Sequence, residues 1–375
     1  MDLQPPHTSP VRKRRAFEAE EIRSGRRRGR GAVSNRTGRF ETQLRDLTDD
    51  GWESLGELEA FKTSVHEERA KTIVTTNDSP DIGFDQSINP YRGCEHGCIY
   101  CYARPTHAFL GLSAGLDFET RLFAKVNAPE LLERKFADPK YKPKTIALGT
   151  NTDPYQPIER RYRLTRRLLE VFDRANHPLG IVTKSALVVR DIDILSSMAE
   201  RGLVKVAVSV TTLDRKLARA MEPRAATPER RLEALELLSA AGIPTAVMCA
   251  PVIPALNDPE IETILTRAKA TGAEEAGYVV LRLPLEISDL FQEWLEENAP
   301  DRASRVMSLV RQMRGGKDYD STWGKRMRGQ GPYAWQIGRR FELASKRLGL
   351  NRKHFGLRTD LFRPPVLPGQ QMSWL

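Results

Sequence analysis

Short apolar runs rich in β-branched residues alternate with amphipathic stretches along most of this 375-residue chain. The clearest run is Val204-Lys205-Val206-Ala207-Val208-Ser209-Val210, short enough for one buried strand. Similar runs lie at Thr145–Gly149, Gly180–Thr183, Thr245–Ala250 and Ala276–Leu281, and an extended lead spans Gln86–Tyr91. Helical signals fill the intervals, at Pro129–Phe136, Arg166–Asn176 and Pro228–Ala241, the last closed by Gly242 as a stop. Strand and helix signals that alternate in this way from about residue 70 predict an α/β fold, a parallel sheet covered by helices.

Composition adds boundaries to that picture. No run of about 18 apolar residues occurs, so no membrane span is expected. The basic N-terminus is not followed by an apolar stretch, so it does not read as a secretory signal. Four cysteines in 375 residues are sparse for a disulfide scaffold, which favours a reducing compartment, the cytoplasm. The net charge of +10 is uneven: residues 1–40 hold eleven Lys/Arg against four Asp/Glu, and the remainder 48 against 45. The first segment, with Arg12-Lys13-Arg14-Arg15 and Arg26-Arg27-Arg28-Gly29-Arg30, lacks periodicity and cannot bury enough apolar surface to fold alone. The expected organisation is a basic, disordered arm over 1–50, a core over 51–285 and a mainly helical basic extension over 286–375.

The densest chemistry sits just after the first predicted strand, in Cys94-Glu95-His96-Gly97-Cys98-Ile99-Tyr100-Cys101. Thiolates hold iron–sulfur clusters, and a four-iron cube usually takes four of them. Three closely spaced ligands would leave one iron free for another molecule. Zinc is the rival, with His96 or His107 completing a tetrahedral shell. Zinc usually draws two ligand pairs across a longer loop, and no second pair is present.

The spacing, with an aromatic residue before the last cysteine, resembles the signature of the radical S-adenosylmethionine (radical SAM) enzymes. That resemblance implies a [4Fe–4S] cluster on Cys94, Cys98 and Cys101, whose open iron chelates S-adenosyl-L-methionine (SAM). It implies that an electron from the reduced cluster cleaves the sulfonium to a 5′-deoxyadenosyl radical. The electron would come from a donor such as flavodoxin or ferredoxin. The implied fold is a partial (β/α)6 barrel of TIM type, in which reactive groups gather at strand C-terminal ends.

Other strand ends are similar to the spore photoproduct lyase-like branch of that family. The second strand leads into Gly149-Thr150-Asn151-Thr152-Asp153-Pro154-Tyr155-Gln156-Pro157, the third into Thr183-Lys184-Ser185, and the fourth ends near Ser209. The resemblance implies that Tyr102, Thr150, Lys184 and Ser209 contact SAM. A lysine can pair with the carboxylate, and hydroxyls can bond the carboxylate or ribose. Pro251-Val252-Ile253-Pro254 would offer the adenine apolar contact. The match covers roughly residues 70–285. It departs at the end of the second strand, where the branch carries a hydrogen-donating cysteine and this chain has Gly149 and Thr150. Cys249, on the fifth strand, is the remaining cysteine, and it reads more readily as a small buried apolar residue than as a hydrogen donor.

Residues 311–353 lie beyond the barrel and hold twelve Lys/Arg against three Asp/Glu, interleaved with Tyr319, Trp323, Tyr333, Trp335 and Phe341. Arginines and aromatics together can bind backbone and stack bases. Ile337, Phe341, Ala344 and Leu348 also repeat at helical spacing, as a core face would. Gly329-Gln330-Gly331-Pro332 reads as a turn, because it lacks the Lys-Ser/Thr ending of a phosphate loop. The expectation is a cytoplasmic radical SAM enzyme acting on an unidentified substrate, with DNA or RNA the leading class. Modification of a peptide or metabolite is the alternative within the class. Outside it stands a nucleic-acid-binding protein with a structural or redox-sensing cluster.

Overall fold

A computed structural model describes residues 27–41, 61–352 and 356–367. The chain enters through β1 (Ser64–Glu68), β2 (Val74–Thr76), β3 (Gln86–Ile88), β4 (Tyr91–Arg92) and β5 (Arg121–Lys125). Strands then alternate with helices: α1 (Ala128–Phe136), β6 (Ile146–Leu148), α2 (Leu164–Arg174), β7 (Leu179–Thr183), α3 (Ile192–Glu200) and β8 (Val204–Ser209). After β8 come α4 (Arg215–Met221), α5 (Pro228–Ala240), β9 (Thr245–Val252), α6 (Ile261–Ala270) and β10 (Glu275–Val280). Three helices follow, α7 (Ile287–Asn298), α8 (Pro300–Gln312) and α9 (Gly331–Leu348).

Six strands, β3, β6, β7, β8, β9 and β10, run parallel and lie side by side in sequence order. β2 adds an antiparallel edge to β3. This is the open (β/α)6 arrangement, and the expected strands lie where the apolar runs placed them. β8 shows why: Val204, Val206 and Val208 are fully buried, while Lys205 between them stays half-buried. α5 begins where Thr227 accepts a hydrogen bond from the backbone N–H of Arg230, with Pro228 in the first turn. Its Leu232, Leu235 and Leu238 then bury at helical spacing against the sheet.

A second, three-stranded sheet in the order β1-β5-β4 was not legible in the sequence. β1 reads Ser-Val-His-Glu-Glu and carries one apolar residue, so alternation has nothing to mark. The arm is also more ordered than charge alone suggested. Arg12–Arg15 lies outside the described residues, but residues 27–41 pack on the body of the protein, with Ala32, Val33 and Ser34 buried. What the charge count missed is that partners elsewhere in the chain bury this segment.

The main core fills the space between the parallel sheet and α1, α2, α3, α5 and α6, and α9 joins it through Ile337, Phe341 and Ala344. The basic face of α9 lies opposite, so the helical spacing read there marks a core stripe. A second cluster joins Cys98, Ile99 and Tyr100 of the cysteine loop to Phe291, Trp294 and Leu295 of α7 and to Val306 and Val310 of α8. The first two helices of the C-terminal extension therefore back the cysteine loop.

Candidate functional site

The cysteine loop follows β3 of the parallel sheet by way of the short β4, beyond the C-terminal end of β3, and its path is fixed by buried charge. Arg104 is fully buried, and its guanidinium donates to the carbonyls of Gly97, Cys98, Ala114 and Gly115 at 2.9–3.1 Å. The same group pairs with the equally buried Glu119 at 2.5 Å. Glu119 in turn accepts from the backbone N–H groups of Gly31 and Ala32, both at 2.8 Å. Gly97 adopts φ +67°, and a Cβ there would lie 2.7 Å from a Glu119 carboxylate oxygen. Gln156 closes the other flank, donating to Gly93 O at 3.1 Å and accepting from Glu95 N at 2.9 Å.

Cys94 and Cys98 are buried and Cys101 is half-buried; all three are free thiols. Burial pushes the Cys94 thiol well up, and nearby Asp153, Cys98 and Cys101 push it further. Burial likewise raises Cys98, with Glu222 adding to it and Lys184 opposing. Thiols raised like those of Cys94 and Cys98 deprotonate together only against a strongly cationic group, which an iron–sulfur cluster supplies. Among the described residues no three His, Cys, Asp or Glu side chains converge to hold a single metal ion. A cube needs no such point, since each thiolate binds a separate corner. The donor set fits a cluster.

The residues picked from the strand ends distribute unequally around this loop. Tyr102 and Thr150 meet directly, the Tyr102 hydroxyl donating to Thr150 O. Asn89, just past β3, donates to the Thr150 hydroxyl at 3.4 Å. The Lys184 ammonium stands 5.7 Å from the centroid of Tyr100, and its backbone N–H donates to Asp153 at 2.8 Å. Asp153 also accepts from Thr183 at 2.7 Å, so one carboxylate joins the ends of the second and third parallel strands. Ser209 is buried and donates its hydroxyl to the backbone oxygens of Ala250 and Met248 at 3.2 and 3.4 Å. Its proton is committed to the next strand, which leaves the oxygen as an acceptor. Cys249 lies in the main core, where burial pushes its thiol up to about 12.

Glu222 and Arg282 gave no signal in the sequence, and His96 stood out there only as a candidate zinc ligand. Glu222 is buried and accepts from Tyr100, Thr211 and Arg231, forming one network beneath the loop. Burial raises the Glu222 carboxyl, and Arg231 pulls it down. His96 is buried with its Nδ1 3.4 Å from Asp153, and burial lowers its pKa against the pull of that carboxylate. Arg282, just past β10, stacks 4.8 Å from the Tyr102 ring and 6.0 Å from Tyr319. Arginines are plentiful in this chain, and only the fold selects which ones are buried or stacked.

Residues 88–268 match the model of the radical SAM superfamily, a span that holds the three cysteines and five of the six parallel strand ends. Protein Rv2578c of Mycobacterium tuberculosis, described as uncharacterized, is 37% identical over 232 residues, covering 61% of this chain and 68% of that protein. The chain belongs to the radical SAM superfamily. The uncharacterized protein MJ0683 of Methanocaldococcus jannaschii is 30% identical over 240 residues, 64% of this chain and 85% of that one. Among solved structures, spore photoproduct lyase complexed with dinucleoside spore photoproduct superposes with a TM-score of 0.55 at 15% identity, covering 82% of this chain and 86% of that chain. At that identity the likeness is one of fold. This radical SAM enzyme uses a [4Fe–4S] cluster and SAM, as its family does. Among the described residues no helix is long and apolar enough to cross a membrane.

Proposed function

We propose that Cys94, Cys98 and Cys101 ligate the cluster, that Tyr102, Thr150, Lys184 and Ser209 contact SAM, and that the substrate is a nucleic acid. When bound, cluster and SAM together supply a 5′-deoxyadenosyl radical that abstracts hydrogen from the substrate. Lys184 places a cation beside the cysteine loop, suited to a carboxylate. The Tyr102 ring forms a wall where the loop meets the end of β6. An electron donor such as flavodoxin or ferredoxin completes the set, and the cytoplasm is the fitting compartment.

The substrate reading is carried by one observation, the stacked cation at the mouth of the site. A cavity of about 800 Å³ opens between the ends of β3, β6 and β10. Arg282 stands in its wall between Tyr102 and Tyr319, and no acid pairs with it among the described residues. Phe109 and Trp323 line the same cavity and are 72% and 53% exposed. Exposed aromatics beside an unpaired arginine suit stacked bases and a phosphate backbone. The likeness in fold to a lyase solved with a dinucleoside supports the same class.

The test is anaerobic reconstitution followed by chromatography for 5′-deoxyadenosine. Wild type should hold about four irons, and Ala at Cys94, Cys98 or Cys101 should abolish the cluster, whereas Cys249→Ala should keep it. Single-stranded DNA or RNA should stimulate 5′-deoxyadenosine release. Stimulation by peptides or metabolites alone would overturn the nucleic-acid reading.

A further inference from the structure

A cavity of about 1010 Å³ lies on the flank of the protein between β10 and α9. β10 is the last strand of the sheet, and its outer edge is only partly covered. Asn351 clamps Ala276, accepting from its N–H at 2.8 Å and donating to its carbonyl at 3.0 Å. Further along, Val280 N–H donates to Met327 O at 2.9 Å. Alternation along a strand turns every second residue to the same edge, so Tyr278 presents its N–H and C=O to the cavity between these two clamps.

α9 forms the opposite wall in two stripes. Ala334, Gly338, Phe341 and Ser345 make the floor, and the Ser345 hydroxyl is buried without a hydrogen-bond partner. Gly338 lets the tyrosine sit close, since a Cβ there would lie 2.8 Å from the Tyr278 hydroxyl. The rim carries Trp335, 71% exposed, then Arg339, Glu342 and Lys346 on successive turns. Arg328 stacks 4.5 Å from the Tyr278 ring, and Arg352 closes the far end. Glu342, the one acid in the lining, is engaged by Arg339 at 3.0 Å. Among the described residues no acid pairs with Arg328, Lys346 or Arg352.

We propose that this groove binds a single-stranded nucleic-acid segment, with a base stacked on Trp335 and phosphates held by Arg328, Lys346 and Arg352. The proposal rests on the nucleic-acid reading of the mouth and adds a second contact for the same strand. An acidic peptide fits less well. Strand addition needs a run of open backbone, and here Asn351 and Met327 leave one residue free. A single N–H and C=O pair matches the donor and acceptor edge of a base. An exposed indole face with unpaired cations is the chemistry of sequence-tolerant single-strand binding.

The test uses the reconstituted full chain and a fluorescein-labelled oligothymidylate, read by anisotropy over a salt series. Trp335→Ala should weaken binding roughly five- to a hundredfold, Trp335→Phe should restore most of it, and Lys346→Glu should flatten the salt dependence. Release of 5′-deoxyadenosine without oligonucleotide should be unchanged in all three variants. If wild type binds and Trp335→Ala and Lys346→Glu bind equally well, the groove is overturned while the mouth reading stands. If wild type binds no oligonucleotide at low salt, both readings fall. Displacement of the oligothymidylate by poly-glutamate, with no change in Trp335→Ala, would overturn the assignment in favour of an acidic polypeptide.

Discussion

The two ends of the parallel sheet bury titratable groups in opposite ways. At the N-terminal end, His177 precedes β7 inside an aromatic cage, stacked on Phe136 at 4.3 Å and edge-on to Phe172 and Phe362 at 5.4 Å. Burial lowers its pKa to about 4, so it is neutral in the folded protein at physiological pH. At the C-terminal end, Arg104 meets Glu119 and Arg231 meets Glu222, all four buried. His177 discards its charge, and the two pairs match theirs. The neutral imidazole stays among the rings with its nitrogens bonded to the Tyr141 hydroxyl and the Pro178 carbonyl, whereas a matched pair fails when either partner is lost. The matched pairs lie where the cysteine loop must keep one shape.

Removing one partner of the Arg104–Glu119 pair should break that contrast most visibly. Arg104→Met leaves Glu119 buried without its counter-ion, and a loss of about 3–5 kcal/mol is expected in urea unfolding. Iron retention should fall with it. Arg104→Met with Glu119→Leu should recover part of the stability and none of the iron, because the carbonyls of Gly97 and Cys98 still lack their donor. A loss under about 1 kcal/mol in the single variant would show the pair to be dispensable.

His177 sharpens the comparison through pH. Its folded pKa lies below the unfolded value near 6.5, so the fold disfavours the charged form. Its contribution is fully present above pH 6.5 and is lost as pH falls from there toward 4, on the order of 3 kcal/mol in all. His177→Phe should flatten the stability–pH curve over that window, and an unchanged slope would assign the acid sensitivity elsewhere.

Smaller effects are expected at the cofactor and substrate contacts. Lys184→Ala should weaken SAM binding roughly ten- to a hundredfold in equilibrium dialysis, as loss of a charge-assisted bond does, with iron content unchanged. Unchanged SAM affinity would remove Lys184 from the contact set. Arg282→Ala should reduce oligonucleotide affinity only two- to fivefold, about 0.5–1 kcal/mol for a half-buried cation stack that stays in contact with water.

Much of this was legible because it is local. Three cysteines within eight residues and β-branched runs such as Val204–Val210 declare themselves by spacing. The strand-end residues Thr150 and Lys184 follow once the strands are placed. The network that holds the loop does not, because its members are far apart in the chain: Arg104 and Glu119 are separated by 15 residues, and Tyr100 and Glu222 by 122. Ser209 shows the limit from the other side. Its position at the end of β8 was readable, but the commitment of its hydroxyl to the β9 backbone depends on which strand lies next to it.

The segment at residues 27–41 also sets a schedule for the growing chain. It leaves the ribosome early, yet Gly31 waits 88 residues for Glu119, Ser34 waits 259 for Glu293, and Arg27 waits 270 for Glu297. At a synthesis rate of about 5–20 residues per second, that last interval is on the order of half a minute. The contacts to Glu119 can therefore form before α7 and α8 have been made, whereas those to Glu293 and Glu297 wait for α7. Closure of the segment onto α7 is thus the late, long-range step, and it comes after the cysteine loop and Glu119 have both left the ribosome.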